Sequence, residues 1–510
     1  APWGQNRFLE DEALYGYWGL QIATGADPML DQEPVDKPPL YPYTLALSFL
    51  ALGPNETAAR LPSLLASVAG IALVYALGRA LYADAVLGLL AALLLALSPF
   101  DLLFASTAFT DPLMTAWVLG ALLAAARGRP GTAGLLAGLA AATKQQGLFF
   151  LPLVVAVLAL ALTRLPKFRL RDRNRSVYTG PPKSPALALS QETLEVFDRE
   201  QGRLPRRRLG PWPRFGFAFA AVAAVVIAWG LARVQRPGFF AQSLISYGGL
   251  GPAQPQALGP RAVAWLELLS GFWGGALAAL LAVALLALLG AAWVRGRAGH
   301  SPGQTARRRI DGLLAGFLAV FLLLHWLVGF QVWDRYLLGL VPLAALLAAR
   351  LLLGAVRLVP VGRWRPAAAT ALALLLLATL ARPVALAAGS ELPLGGDHGA
   401  YDGIDQLAAF LRAEAPPGAV VYHYWLGYHY HFYLHGAPLR LHWYPDPADL
   451  VHDATVYRRE PRYIAFPSFR DGGQAQAALA AAGIELLPVY ETHRRDGSVS
   501  FRLYRLEGPG

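Results

Sequence analysis

Cysteine is absent from the 510 residues, which excludes disulfides, thiol nucleophiles and thiolate metal sites. Charge is also scarce. Only 15% of the chain is Asp, Glu, Lys or Arg while 55% is hydrophobic, too little charge to coat a soluble protein of this size. The mean hydropathy of +0.41 agrees, so most of the chain is expected to face lipid. No Walker loop, dinucleotide fingerprint, His-Glu-x-x-His or nucleophile elbow is present, which disfavours soluble nucleotide donors. The N-terminus, Ala1-Pro2-Trp3-Gly4, lacks a charged segment followed by an apolar stretch, so it is not a signal peptide.

What charge there is carries a sign. The formal net charge is +11, which in a soluble protein would suggest nucleic acid. Here the basic residues crowd into short connectors between apolar runs, without the interleaved aromatics that a stacking platform needs. Nucleic-acid binding is therefore not expected.

Apolar runs fit to cross ~30 Å of hydrocarbon fall at residues 56–81, 85–99, 112–126, 132–143, 148–163, 215–232, 263–294, 312–330, 337–353 and 367–388. About ten spans are thus expected, several shorter than the usual ~20 residues. The Lys/Arg-rich connectors at 127–129, 164–214, 295–309 and 357–365 alternate with connectors poor in both. They belong in the cytoplasm by the positive-inside rule. Residues 1–55, 101–111, 144–147, 234–261, 331–335 and everything beyond 390 then lie outside. Three regions result: an extracytoplasmic loop with interfacial helices over 1–55, a helical membrane domain over 56–389 with a basic loop at 164–214, and an α/β domain over 390–510. In the last, strands are expected at 419–424, 439–443, 462–466, 484–490 and 498–504, with helices at 401–413 and 474–482.

The outer loops carry the chemistry. Tyr15, Trp18, Leu20 and Ile22 predict an amphipathic interfacial helix holding Asp11 and Glu12 at the headgroup boundary. Pro38-Pro39 fixes the backbone before a short apolar helix over 40–52 and limits where Lys37 can point. Asp111 stands at the outer mouth of a span, and Lys144 interrupts two apolar runs at the same level, where buried charge is costly. Taken alone, Asp111 could serve as a helix cap and Lys144 could snorkel to the interface. Arg60 adds a third cation. Cations where negative charge develops, beside a carboxylate able to take a proton, suit departure of a lipid-linked phosphate.

These residues resemble the polytopic GT-C glycosyltransferases, in the group of protein O-mannosyltransferases and aminoarabinose lipid A transferases. The resemblance runs along nearly the whole chain. It is carried by Asp11-Glu12, Asp36-Lys37-Pro38-Pro39-Leu40, Ala58-Ala59-Arg60-Leu61-Pro62, Asp111 and Thr143-Lys144, in this order and on one membrane side. Asp-Glu alone is a weak signal, whereas the ordered set is specific. It implies an all-α multi-pass membrane domain with a small α/β domain, in a plasma (inner) membrane. It also implies transfer of a sugar, with inversion, from a polyprenyl phosphate to a protein, lipid or polymer acceptor. Asp11 would be the general base and Glu12 would orient substrate. Lys37 would hold the donor phosphate with Arg60 and Lys144 in support, and Asp111 would line the acceptor or donor pocket. Asp334 and Arg335 match a segment common in these transferases, as a substrate contact or as an ion pair with each other. The resemblance fixes no cofactor, with the polyprenyl-phosphate sugar as donor substrate; a divalent metal would draw on Asp36 and Asp111. Some relatives have Glu where Asp36 stands. Relatives also carry a span before the Asp-Glu loop, so one is expected upstream of Ala1.

Two other functions compete. A transporter or flippase of a lipid-linked substrate would place charges near the bilayer midplane and show paired halves, yet the charges here crowd one surface. A non-catalytic receptor with a sugar-binding C-terminal domain would leave the carboxylates and lysines dispensable. In the run from His423 to His435, His429 and His431 could share a strand face, but the dominance of Tyr and Trp favours packing or carbohydrate contact over metal.

Overall fold

The computed structural model describes residues 6–164, 209–234, 238–246, 251–275, 302–360, 362, 364–392, 394–395 and 399–508. The basic connectors at 164–214 and 295–309, and the run at 263–294 beyond residue 275, fall largely or partly outside these.

The segment before the first long apolar helix forms two helices, α1 (Glu10–Thr24) and α2 (Leu40–Leu52). They approach so closely that a Cβ on Gly19 would stand 2.7 Å from the Cβ of Leu45. The expected one-sided burial of α1 is corrected here. Residues on several of its faces, from Glu12 and Ala13 through Tyr15 to Leu20, are buried, because α2 covers one side and the C-terminal domain another. An interfacial helix with one face in water does not describe it.

Next come α3 (Glu56–Tyr82), α4 (Ala85–Ala96), α5 (Pro99–Ala105), α6 (Thr110–Ala126), α7 (Pro130–Thr143) and α8 (Leu151–Arg164). Asn55 caps α3 by accepting from the Ala58 N–H at 2.9 Å, and Asp84 caps α4 through the Leu87 N–H at 3.1 Å. Both satisfy amides that a helix start leaves orphaned. Helices Pro211–Ala232, Pro302–Leu327, Val341–Leu358 and Trp364–Ala388 follow. Among the described residues six helices are long and apolar enough to cross a membrane, seven if α4 and α5, bent by 61°, act as one. The chain is a multi-pass membrane protein. The count falls below ten partly because α6 and α7, at 17 and 14 residues, rise only about 25 and 21 Å.

The C-terminal region holds a five-stranded sheet of order β2-β1-β3-β5-β4, with β1 Val420–His423, β2 Arg440–Trp443, β3 Arg462–Pro467, β4 Glu485–His493 and β5 Val499–Glu507. Strands β2, β1 and β3 run parallel, and β5 pairs antiparallel with β3 on one side and β4 on the other. All five expected strands are present. Residues 427–433 form a helix rather than a strand, so His429 and His431 do not share a strand face. Nε2 of His429 lies 2.9 Å from the Phe8 carbonyl, while the His431 ring stacks on Tyr17 at 4.7 Å.

The domain is pinned to the N-terminal segment that carries α1. Tyr401 and Trp425 both donate to Glu10 Oε1, at 2.8 and 2.6 Å, and Arg7 pairs with Asp405 at 3.1 Å. Phe8 packs edge-on against Phe432 at 5.0 Å. Helix α1 is therefore held between the membrane helices and the sheet domain, which positions Asp11 and Glu12.

Candidate active site

Adjacent in sequence, Asp11 and Glu12 meet different surroundings. Glu12 occupies the third position of α1 and is 1% exposed. One oxygen accepts from the Leu9 N–H at 2.9 Å. The other accepts from the Ala108 N–H at 2.7 Å and faces Arg60 Nε at 3.4 Å. Arg60 in turn pairs with Glu56 at 3.2 Å and donates to the Asn6 carbonyl at 2.8 Å. A buried carboxylate with this many donors is fully committed within the protein. It ties α1 to α3 and to the loop before α6.

Asp11 points elsewhere. Its Oδ2 lies 2.5 Å from Nη1 of Arg335, and its side chain is 30% exposed, which leaves it reachable. The Arg335 guanidinium also lies over the rings of Phe109 and Trp333, 5.2 and 4.9 Å from their centroids, so it is clamped as well as charged. The expected alternative of an Asp334–Arg335 ion pair is corrected. Asp334 instead accepts from the backbone N–H of Arg335 at 2.7 Å and of Gly395 at 2.9 Å. It starts the 3₁₀ turn Asp334–Leu340 and holds the entry to the C-terminal domain.

Asp111 and Lys144 form a pair at 2.6 Å, 0% and 2% exposed. Thr110 Oγ1 donates to the second Asp111 oxygen at 3.2 Å. Lys144 ends α7, and the chain turns at once into the 3₁₀ segment Gln145–Phe150. Gly147 allows the turn, since a Cβ there would come within 2.6 Å of the Ala140 carbonyl group. Lys144 Nζ also lies 4.9 Å from the Tyr336 ring centroid, next to Arg335.

Asp36 and Lys37 pair with each other. The Asp36 carbonyl accepts from Gln145 Nε2 at 2.5 Å and from Ser243 Oγ at 2.9 Å, which brings the Lys37 loop to the Lys144 turn. Further support comes from Arg233, which bonds to the carbonyls of Met29, Leu30 and Glu33 and so fastens the loop between α1 and α2. Gln145, Ser243, Arg233 and Tyr336 were not singled out from sequence. Gln145, directly after Lys144, was the one with a local signal.

The Lys144 turn borders a cavity of about 400 Å³. Its walls include Leu148, Phe149, Phe240, Leu244 and Phe330, while Lys144, Gln145 and Ser243 supply polar atoms. Leu148, Phe149, Phe240 and Leu244 are 41–56% exposed, so the cavity opens along the apolar surface of the helical domain. An apolar slot ending beside lysine suits an amphiphile with an anionic head.

Among the described residues no group of three or more His, Asp or Glu side chains is arranged to hold a metal ion. Asp36 and Asp111 each face a lysine, a poor donor set for a divalent cation. These residues do not fit a resident metal.

Comparison with known proteins bears on the fold. Residues 36–173 match the family model for dolichyl-phosphate-mannose-protein mannosyltransferase, a segment holding Lys37, Arg60, Asp111 and Lys144. The crystal structure of ArnT from Cupriavidus metallidurans bound to undecaprenyl phosphate is similar, with 16% identity over 99% of this chain and 96% of that one, at a TM-score of 0.55. The apo oligosaccharyltransferase of Archaeoglobus fulgidus matches at 14% identity over 97% and 71% of the two chains, with a TM-score of 0.50. No curated protein sequence matches. At such identities the likeness establishes the fold, which is the GT-C fold expected from the ordered motifs.

Proposed function

We propose that this protein is a membrane glycosyltransferase that moves a sugar from a polyprenyl phosphate to an acceptor hydroxyl outside the cytoplasm. The reading rests above all on the buried Asp111–Lys144 pair bordering a lipid-open apolar cavity. The ArnT relative is bound to undecaprenyl phosphate, a ligand with the same division into anionic head and prenyl tail.

In this reading the tail lies along Phe149, Phe240 and Leu244, and the phosphate meets Lys144 and Lys37. Arg335 holds Oδ2 of Asp11 and so directs Oδ1 toward the acceptor. The hydroxyl gives its proton to Asp11 as its oxygen attacks the anomeric carbon. The bond from that carbon to the phosphate oxygen breaks, and the polyprenyl phosphate leaves with the bonding pair. One displacement inverts the configuration. The lysines stabilise the charge growing on the leaving group, where a fixed cation is worth most. Glu12 and Arg60 brace the loop. Metal is not needed in this scheme, and the protein sits in the inner membrane with its outer loops and sheet domain extracytoplasmic.

Purified protein in nanodiscs is incubated with a panel of polyprenyl-phosphate sugars and a panel of protein, lipid and polysaccharide acceptors. Release of free polyprenyl phosphate, abolished by Asp11→Asn in a protein of unchanged melting temperature, is the expected result. Undiminished release by Asp11→Asn would remove the assigned base. Energy-independent movement of intact donor across the bilayer of sealed proteoliposomes, with no release, would favour a flippase.

A further inference from the structure

The sheet domain has a second cleft that the transfer scheme does not use. From β1 the chain steps to β2 on one side and then returns to β3 on the other, which makes the C-terminal ends of these parallel strands a topological switch point. Ligands of open α/β sheets collect at such points. A cavity of about 320 Å³ lies there, lined by residues ending or following all three strands, among them His423, Tyr424, Tyr444, Asp446, Phe466 and Asp471.

Three features define what would fit. The first is aromatic. Tyr424, 52% exposed, lies 5.8 Å from Tyr444 with the rings inclined by 33°, giving a platform for an apolar ring face. The second is a buried polar atom: His423 is 7% exposed and its Nδ1 has no hydrogen-bond partner. Burial and the neighbouring His431 and His442 push its pKa down to about 3, so the imidazole is neutral and adds no charge to the cleft wall. The third is charge. Asp446 and Asp471 each use one oxygen to accept from nearby backbone amides. The nearby cation Arg470 has its guanidinium 3.6 Å from the Trp425 ring centroid.

Two carboxylates against one stacked arginine disfavour an anionic ligand. The loop after β1, Tyr424-Trp425-Leu426-Gly427, also has a single glycine in place of the Gly-x-Gly-x-x-Gly run that lets a backbone cradle phosphate. A polyhydroxylated ring with one apolar face satisfies aromatic platform, carboxylate acceptors and neutral imidazole together. Trp425 lines the same cleft and donates to Glu10, the neighbour of Asp11. The cleft is thus wired to the helix that carries the proposed base.

We propose that the switch-point cleft binds a neutral saccharide, the glycan portion of the acceptor, laid on Tyr424 and Tyr444 with hydroxyls bonded to Asp446 and Asp471. The acceptor role rests on the transferase reading above; the binding does not.

The test uses full-length protein in nanodiscs against an array of neutral trisaccharides built from mannose, glucose, galactose or arabinose. Binding to at least one is expected, weakened ten-fold or more by Tyr424→Ala and by Asp446→Asn at unchanged melting temperature, and kept by Asp11→Asn. Asparagine retains the helix cap, and Tyr424 is exposed, so both variants should fold. No trisaccharide bound at millimolar concentration, equal binding by both variants, or binding of peptides or sugar phosphates alone would overturn the proposal. Trisaccharide binding without polyprenyl phosphate release in the donor assay would leave the cleft standing and remove the transferase reading.

Discussion

Lys144→Met separates what the Asp111–Lys144 pair does for the fold from what it does for a ligand. Both side chains are at most 2% exposed and their charged atoms are 2.6 Å apart. Removing the lysine leaves Asp111 buried without its main partner, at a cost of about 3–5 kcal/mol. Asp111→Asn leaves the lysine in the same position. The double variant Lys144→Met with Asp111→Asn removes both charges, which is often nearly neutral for stability. Its melting temperature in detergent should return close to that of the parent. Affinity for undecaprenyl phosphate should not return. A charge-assisted hydrogen bond contributes about 1.5–3 kcal/mol, or roughly 10- to 150-fold in affinity. Native mass spectrometry or intrinsic fluorescence titration measures that difference. A double variant that regains both stability and affinity would show that the pair is only structural, and the phosphate assignment would fail.

Other expectations follow from the same geometry. Glu12→Gln weakens the tie among Leu9, Ala108 and Arg60 and should cost about 3 kcal/mol, seen as a lower melting temperature and yield; a variant of full stability that lacked transfer would instead give Glu12 a chemical role. Sugar transfer should persist in EDTA, because the residues near Asp36 and Asp111 do not fit a metal; loss in EDTA with recovery on added divalent cation would contradict this. Burial pushes the pKa of His429 down to about 4, below its ordinary value near 6.5. The folded state then binds this proton less readily than the unfolded one, so stability held above pH ~6.5 is lost as pH falls toward ~4, by on the order of 3 kcal/mol. Limited proteolysis of the C-terminal domain across that window should show the loss, and His429→Gln should reduce it, leaving the share due to His423, whose pKa burial also pushes down.

The membrane character, the α2 helix and the five strands were legible because each rests on local pattern. Apolar runs, Pro38-Pro39 and short segments rich in apolar and aromatic residues all act within a few positions. The candidate residues were legible as types but not as partners. Nothing near Asp11 in sequence indicates that Arg335 meets it, and nothing near Asp36 indicates Ser243, because those contacts close only when the helices pack. Glu12 was paired with Asp11 in expectation by adjacency, yet one helical step of about 100° sends the two carboxylates to different partners. The helix at 427–433 was missed because alternating His and Tyr mimic strand periodicity; helical spacing brings Phe432 against Phe8 and His429 against the Phe8 carbonyl. Arg60 was grouped with Lys37 and Lys144 by charge, whereas its guanidinium braces Glu12 and Glu56.

The central claim is that an anionic polyprenyl lipid sits with its head at the Lys144 turn and its tail in the adjoining cavity. Photocrosslinking decides this directly, using a polyprenyl phosphate that carries a diazirine in its first isoprene units and mapping the adducts by mass spectrometry. Adducts concentrated at Phe149, Phe240 and Leu244, and competed away by unlabelled undecaprenyl phosphate, are the predicted outcome. Labelling spread evenly over lipid-facing positions such as Phe217 and Val225, with no competition, would contradict it.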